Sequence, residues 1–242
     1  ALEARLRGAE VLTHELSGPL RAVRRQLGLD HDAPLTWRAA IVQAARADVD
    51  AALAEVRGVE LLAIHTADEV MIGGEAAACA RAVAALVGRG ATATAVPYQL
   101  AIHGAAARAH ADALAALHTL PVTPTPALAF LSAASAVSGE RAGPGEVAQR
   151  SGEIAAALAR SFGQTVDFPA LVEHAYARGA RVFVEIGPQA SCARWISRIL
   201  AGRPHAVAPL HTRTYDDESS LARALAVLLS ERTALAPAGA LA

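Results

Sequence analysis

The sequence contains no lysine: arginine supplies all 22 residues of the Lys+Arg count, against 23 acidic residues and a formal net charge of -1. The basic side chains are dispersed, which argues against nucleic acid as a partner. With the heavy alanine content, the missing lysine fits a GC-rich coding sequence better than a selected binding surface. Cysteine is scarce too. Cys79 and Cys192 lie far apart in apolar, helix-like settings, so two buried thiols in a reducing cytoplasm are expected rather than a disulfide framework. No His/Cys/carboxylate cluster has zinc spacing. No uncharged apolar run reaches the roughly 18 residues of a membrane span, and no signal peptide is visible. The expectation is therefore a cytoplasmic chain without a membrane partner. A Gly-x-Ser-x-Gly is also missing, so the sequence offers no nucleophile elbow. Serine-based chemistry would need residues these 242 do not contain. The chain opens Ala1-Leu2-Glu3 without a methionine, as if cut from something longer.

What is present is apolar and well patterned. Hydrophobic residues make up 53% and charged residues 19% of the chain, enough for a sizeable core in one or two domains. Ala1 to about Leu29 reads as helical, broken at Gly18-Pro19, and Leu27 to Pro34 as a polar turn. Trp37–Ala44 reads as a strand. Arg46–Val56 reads as a helix with Asp48 and Asp50 in its first turn and Arg57-Gly58 as its stop. Two apolar strands follow, Val59–Ile64 and Glu69–Ile72, joined by the turn-sized His65-Thr66-Ala67-Asp68 and ended by Gly73-Gly74. Glu75–Val87 reads as a helix with Gly88 and Gly90 at its end. Thr92–Val96 is one more strand. The order over 37–98 is β-α-β-β-α-β, a ferredoxin-like split unit.

Past His103 the pattern predicts a helix over Ala105–Leu117, a strand over Ala127–Leu131 and a flexible Ser135–Gly145 stretch. Helices follow at Glu146–Ser161 and Asp167–Arg178, then a parallel-type strand at Arg181–Glu185. A helix at Ser191–Leu200, a strand at Ala206–Pro209 and an amphipathic helix at Ser219–Glu231 complete the series. Residues 233–242 read as a disordered tail or linker.

Four stretches carry a family likeness. Val70-Met71-Ile72-Gly73-Gly74 is similar to a "VVISG" strand end. Ala95-Val96-Pro97-Tyr98 through Ile102-His103-Gly104 is similar to a segment ending in Phe-His-Ser. Ser161-Phe162-Gly163-Gln164-Thr165-Val166-Asp167-Phe168 is similar to "N-L-x-x-P-V-x-F". Gly179-Ala180-Arg181-Val182-Phe183-Val184-Glu185-Ile186-Gly187-Pro188 is similar to "G-x-x-x-F-V-E-x-G-P". Only the fourth is specific alone; order and spacing give weight to the rest. Over about residues 1–230 the chain resembles the malonyl-CoA:acyl-carrier-protein transacylase family, which includes the acyltransferase domains of polyketide and fatty-acid synthases. Ser191-Cys192-Ala193-Arg194-Trp195-Ile196 looks closest to the polyunsaturated fatty-acid synthase branch.

That resemblance implies an α/β fold. A hydrolase-like large subdomain, partial here (1–36 and 99–232), would carry an inserted ferredoxin-like β-α-β-β-α-β small subdomain (37–98). It implies transfer of a malonyl or other short acyl group from CoA to the phosphopantetheine thiol of an acyl carrier protein. Acyl-CoA, the carrier protein and neighbouring synthase domains would be the partners, and no metal or redox cofactor is implied. By the same resemblance His103 is the catalytic base and the main-chain carbonyl of Ser161 orients it. Arg7, in Leu6-Arg7-Gly8, would hold the substrate carboxylate through two parallel hydrogen bonds.

The chain departs from the family pattern in two ways. The nucleophile is missing, so this chain alone is expected to be inactive. Leu100-Ala101-Ile102-His103 matches neither the malonyl nor the methylmalonyl form of the segment, so acyl choice does not carry over. The alternative is a non-catalytic, acyltransferase-like docking or structural domain of a synthase, and a third reading is an unrelated binding module on the ferredoxin-like unit. Glu185 is expected to accept backbone hydrogen bonds at a strand end. His65 is expected to be a solvated or capping residue, and Trp37 and Trp195 core or interface anchors.

Overall fold

The computed structural model describes residues 2–123, 128–133, 145–147 and 150–233. The chain divides into two compact units, Ala1–Leu171 and Val172–Ala242.

The first unit is a mixed α/β structure around a central sheet. It opens with helix α1 (Leu2–Arg7), a π-helical turn at Val11–Glu15 and helix α2 (Arg21–Leu27). Strand β1 (Trp37–Gln43), helix α3 (Arg46–Glu55), strands β2 (Val59–Thr66) and β3 (Glu69–Glu75), helix α4 (Ala76–Gly88) and strand β4 (Thr92–Ala95) follow in the order β-α-β-β-α-β. The strands lie β4-β1-β3-β2, all antiparallel. A short strand β7 (Val166–Asp167) then pairs in parallel with β2 through Ala63↔Val166 and Ile64↔Asp167.

Both faces of this sheet are buried, and the period-2 alternation of side chains sorts the strand residues between them. Ala40 and Val42 of β1 join Val70 and Ile72 of β3 against Val49 and Leu86 of the two helices. Trp37 and Ala39 face the other way with Leu62, packing on Leu16, Leu20 and Ala106. Val42, Val49, Ile72 and Leu86 are fully enclosed. Such side chains each contribute roughly 1.5–3 kcal/mol of transfer free energy. At Gly74 the backbones come very close: a Cβ there would sit 2.0 Å from the Gly58 carbonyl oxygen.

Between β4 and β7 run helices α5 (Ala105–Arg108) and α6 (Ala111–His118), strands β5 (Phe130–Ser132) and β6 (Gly145–Val147), which pair with each other, and helix α7 (Ser151–Gly163). Helix α8 (Phe168–Ala177) leads into the second unit. That unit is a β-α-β step, strand β8 (Val182–Glu185), helix α9 (Ser191–Ile199) and strand β9 (Ala206–Pro209), closed by helix α10 (Asp217–Ser230). Strands β8 and β9 run parallel from Val182↔Ala206 to Glu185↔Pro209. Ala208, Ala224 and Leu228 form the core of α10 on β9. Arg203 forks onto Glu173 with both guanidinium nitrogens, at 2.8 and 2.5 Å.

Several local expectations change. His65 and Thr66 belong to β2, leaving only Ala67-Asp68 as the turn. His65 is not solvated: it is 7% exposed, and its Nδ1 lies 3.3 Å from the Glu69 carboxylate, itself buried. A protonatable partner at i+4 lets this polar pair enter the interior. Strand β3 runs through Gly73-Gly74 to Glu75, and Glu75 caps α4 rather than joining it. Its carboxylate accepts from the Ala77 and Ala78 amides, 2.9 Å each. These bonds hold its pKa below the usual carboxylate range. The single helix expected over 105–117 is two, broken at Ala109-His110. Residues 145–147 form a strand, and α7 starts only at Ser151. Residues 135–144 and 234–242, where a flexible stretch and a tail were expected, lie outside the described residues, as does residue 127 of the expected strand.

Candidate functional site

His103 stands at the chain reversal between β4 and α5, in the left-handed region at φ 64°. Few non-glycine residues adopt this conformation, although histidine is among those enriched there. Its surroundings hold it there. The His103 amide donates to the Phe162 carbonyl at 2.5 Å, and two residues earlier the Ala101 amide donates to the Leu16 carbonyl at 2.8 Å.

The His103 ring extends the same zipper. Its Nδ1 lies 2.6 Å from the Ser161 carbonyl oxygen. Two residues further along α7, the Gly163 carbonyl accepts from Arg108 Nε at 2.9 Å. A helix ends with four carbonyls that have no intrahelical partner. Here three successive ones, Ser161, Phe162 and Gly163, are satisfied by the segment from His103 to Arg108. The approach is close enough to demand glycine at 163: a Cβ there would lie 2.8 Å from Arg108 Cα. The Phe162 ring lies nearly parallel to the imidazole, centroids 6.3 Å apart, and tilts against His118 at 5.3 Å.

This arrangement fixes the chemistry of the imidazole. A carbonyl only accepts, so Nδ1 carries the proton and Nε2 keeps its lone pair. Burial pushes the His103 pKa below its ordinary 6.5, and the hydrogen bond to Ser161 offsets part of that shift. The ring is thus mainly neutral at neutral pH, with a basic nitrogen on the side away from α7. Such a group can accept a proton from a hydroxyl and return it to a leaving group.

His103 and Ser161 are therefore brought together. Arg7 is exposed in the last turn of α1. Glu185 accepts from the Cys192 and Ala193 amides at 3.2 and 2.7 Å, capping α9. Neither thiol is activated. Burial, reinforced by Glu75, pushes Cys79 up, and burial with Glu185 pushes Cys192 up. Among the described residues no group of three His, Cys, Asp or Glu side chains is placed to hold a metal ion. Among the same residues, no helix is long and apolar enough to cross a membrane.

Sequence reasoning missed Arg108, Gly163 and Glu60. The Glu60 carboxylate accepts from the Ala105 amide at 2.9 Å and from Gln26 Nε2 at 3.0 Å. A signal for Glu60 existed: it shares strand parity with buried Leu62, where an apolar residue belongs.

No family profile matches the chain, and no curated protein matches its sequence. Its structure does match others. It superposes on the acyltransferase domain from the second module of the salinomycin polyketide synthase with a TM-score of 0.64 at 21% identity. That alignment covers 93% of this chain and 52% of the other. The malonyl CoA-acyl carrier protein transacylase of Coxiella burnetii gives 0.62 at 17% identity, over 88% of this chain and 60% of that one. A malonyl-transacylase complex with a type II polyketide synthase acyl-carrier protein gives 0.63 at 23%, over 85% and 62%. The chain thus has the fold of malonyl-CoA:acyl-carrier-protein transacylases and polyketide synthase acyltransferase domains, and spans about half to three fifths of their length.

Proposed function

We propose that these 242 residues form the His-bearing part of an acyltransferase that moves a malonyl or other short acyl group from CoA to an acyl carrier protein. The observation that carries this reading is the His103–Ser161 contact, which leaves Nε2 as a base in a chain with the transacylase fold. The β-α-β-β-α-β unit over 37–98 is then a ferredoxin-like small subdomain, and 1–36 with 99–232 belong to a hydrolase-like large subdomain.

Serine is a weak nucleophile at neutral pH and needs a base within hydrogen-bond reach. In this reading His103 Nε2 takes the serine proton as the hydroxyl attacks the thioester carbonyl. The ring then returns the proton to the departing CoA thiolate. The carrier thiol reverses the sequence. Ser161 holds the ring in the tautomer this requires, the orienting role an acidic residue fills in a catalytic triad. Arg7 is assigned to the free carboxylate of a malonyl group. The serine is supplied by sequence other than these residues, and the chain by itself is inactive. Acyl-CoA and the phosphopantetheine of the carrier are substrates; no metal or redox cofactor takes part.

Intact-protein mass spectrometry after incubation with malonyl-CoA tests this. The chain alone should form no adduct. Joined to a segment bearing Gly-x-Ser-x-Gly, it should gain a malonyl group, and His103→Ala should slow this by roughly 10²–10⁴-fold. Full retention of rate in His103→Ala would sink the assignment. The missing elbow also favours a second reading, a non-catalytic acyltransferase-like docking or structural domain of a synthase. Under it, no adduct forms with any elbow segment, while carrier protein still binds.

A further inference from the structure

We infer that Glu60 is the positioning residue that sets the His103 turn, holding the imidazole in register with α7 through the backbone of Gly104 and Ala105. The inference rests on the proposed role of His103 as a base, but not on any particular acyl group.

The His103 turn has two sides. On one, the end of α7 holds the histidine itself, through the Ser161 and Phe162 carbonyls. Arg108 Nε on the Gly163 carbonyl also ties the following helix to α7, which leaves the Gly104-Ala105 link between those two anchors. The other side is Glu60. One carboxylate oxygen accepts from the Ala105 amide at 2.9 Å, and a Cβ on Gly104 would come within 2.6 Å of the same oxygen. Gly104 has an extended backbone that any residue adopts, φ -150°. A side chain there would have to push the Glu60 carboxylate off the Ala105 amide. The second carboxylate oxygen accepts from Gln26 Nε2 of α2 at 3.0 Å. Both oxygens of one side chain thus fasten α2, β2 and the start of α5.

Three features separate this from an incidental cap. Glu60 is half-buried on the sheet face that carries Leu62, opposite that of Val59 and Leu61, and each of its carboxylate oxygens accepts a hydrogen bond from a different element. Helix α5 has only four residues, too short for an end cap to matter much to its own stability. Finally, β2 also holds the far end of the site: β7 pairs with it, and Thr165 Oγ1 donates to the Leu61 carbonyl at 2.7 Å. One strand therefore sets both the end of α7, through β7, and the turn facing it, through Glu60. A residue at position 103 with positive φ persists only when its surroundings over-determine it, and Glu60 supplies the second half of that constraint.

The test is nitrogen-15 NMR of the imidazole rings in the full chain, with His103→Asn assigning its resonance by disappearance. The parent should show a slowly exchanging Nδ1–H and a single tautomer. Glu60→Gln, which keeps an oxygen for the Ala105 amide, should preserve both. Glu60→Ala should lose the Nδ1–H signal and average the two ring nitrogens. If Glu60→Ala does not fold, Glu60→Asp, one methylene shorter, should give the same loss. An unchanged His103 signature in the alanine or aspartate variant, whatever happens to the melting temperature, would make Glu60 a structural cap and overturn the inference. So would loss of the signature in Glu60→Gln, since charge rather than geometry would then be responsible. No acyl donor is present, so failure of acyl transfer with this signature intact counts against the functional reading alone.

Discussion

Arg108 Nε donates to the Gly163 carbonyl at 2.9 Å, and the glycine lets the two backbones meet without a side chain between them. Gly163→Ala would place a methyl group 2.8 Å from Arg108 Cα, an atom that moves only with its helix. Overpacking of this kind costs about 1–3 kcal/mol. At Gly88, the last residue of α4, a Cβ meets nothing within 4 Å. Gly88→Ala should raise stability by about 0.5–1 kcal/mol through backbone entropy. Urea denaturation of the two variants should move in opposite directions. A neutral Gly163→Ala would mean that α5 and α7 are not in close contact.

The lowered pKa of His103 makes a signed prediction. On acidification the unfolded chain takes up a proton near 6.5, while the folded ring resists until lower pH. Between those two values the unfolded state holds more protons, so stability falls as pH drops through that window and levels off below the folded pKa. His103→Asn should remove this component, seen as a smaller loss of denaturation midpoint between about pH 7 and pH 5. In an acyl-transfer assay the acid limb governed by the base should lie below 6.5 for the same reason.

Glu185 has the look of a catalytic carboxylate in sequence and the geometry of a helix cap in space. Glu185→Ala should lower stability by about 0.5–2 kcal/mol, while Glu185→Gln, which keeps an acceptor for the Cys192 or Ala193 amide, should lose less. Thermal melts decide the order. Were Glu185→Gln as stable as the parent yet, joined to a segment bearing Gly-x-Ser-x-Gly, unable to form the acyl adduct that the joined parent forms, the residue would belong to the chemistry.

Both cysteines should be slow nucleophiles. Raised pKa values leave little thiolate at neutral pH. Iodoacetamide should modify each at least about tenfold more slowly than a free thiol of ordinary pKa. Rapid labelling of Cys192 would reopen a thiol in place of the missing serine.

Much of this architecture was legible because it is local. The apolar runs along 37–44, 59–64 and 69–72, and the glycines after 87, suffice to order strands and helices without knowing which strands pair. The contact between His103 and Ser161 could be anticipated only from family resemblance, since nothing in either stretch alone names the other. What escaped involves residues whose partners are remote in sequence. Glu60 meets Ala105 across 45 positions, and Arg108 meets Gly163 across 55. His65 was misplaced because His-Thr-Ala-Asp reads as a turn; its burial depends on Glu69, four residues on in the next strand. The break at Ala109-His110 carries no glycine or proline to announce it.

The alternation of β2 ties two events that are usually separate. A slip of one residue against β3 would send every side chain of the strand to the opposite face. Glu60 would then enter the layer of Val49 and Ala52, where nothing apolar can solvate it, and the Ala105 amide would lose its acceptor. The slipped sheet would be penalised twice, once in the interior and once at the histidine. Strand proofreading and assembly of the His103 turn are thus a single selection step, and a molecule that has paired its strands wrongly cannot present a well-placed imidazole.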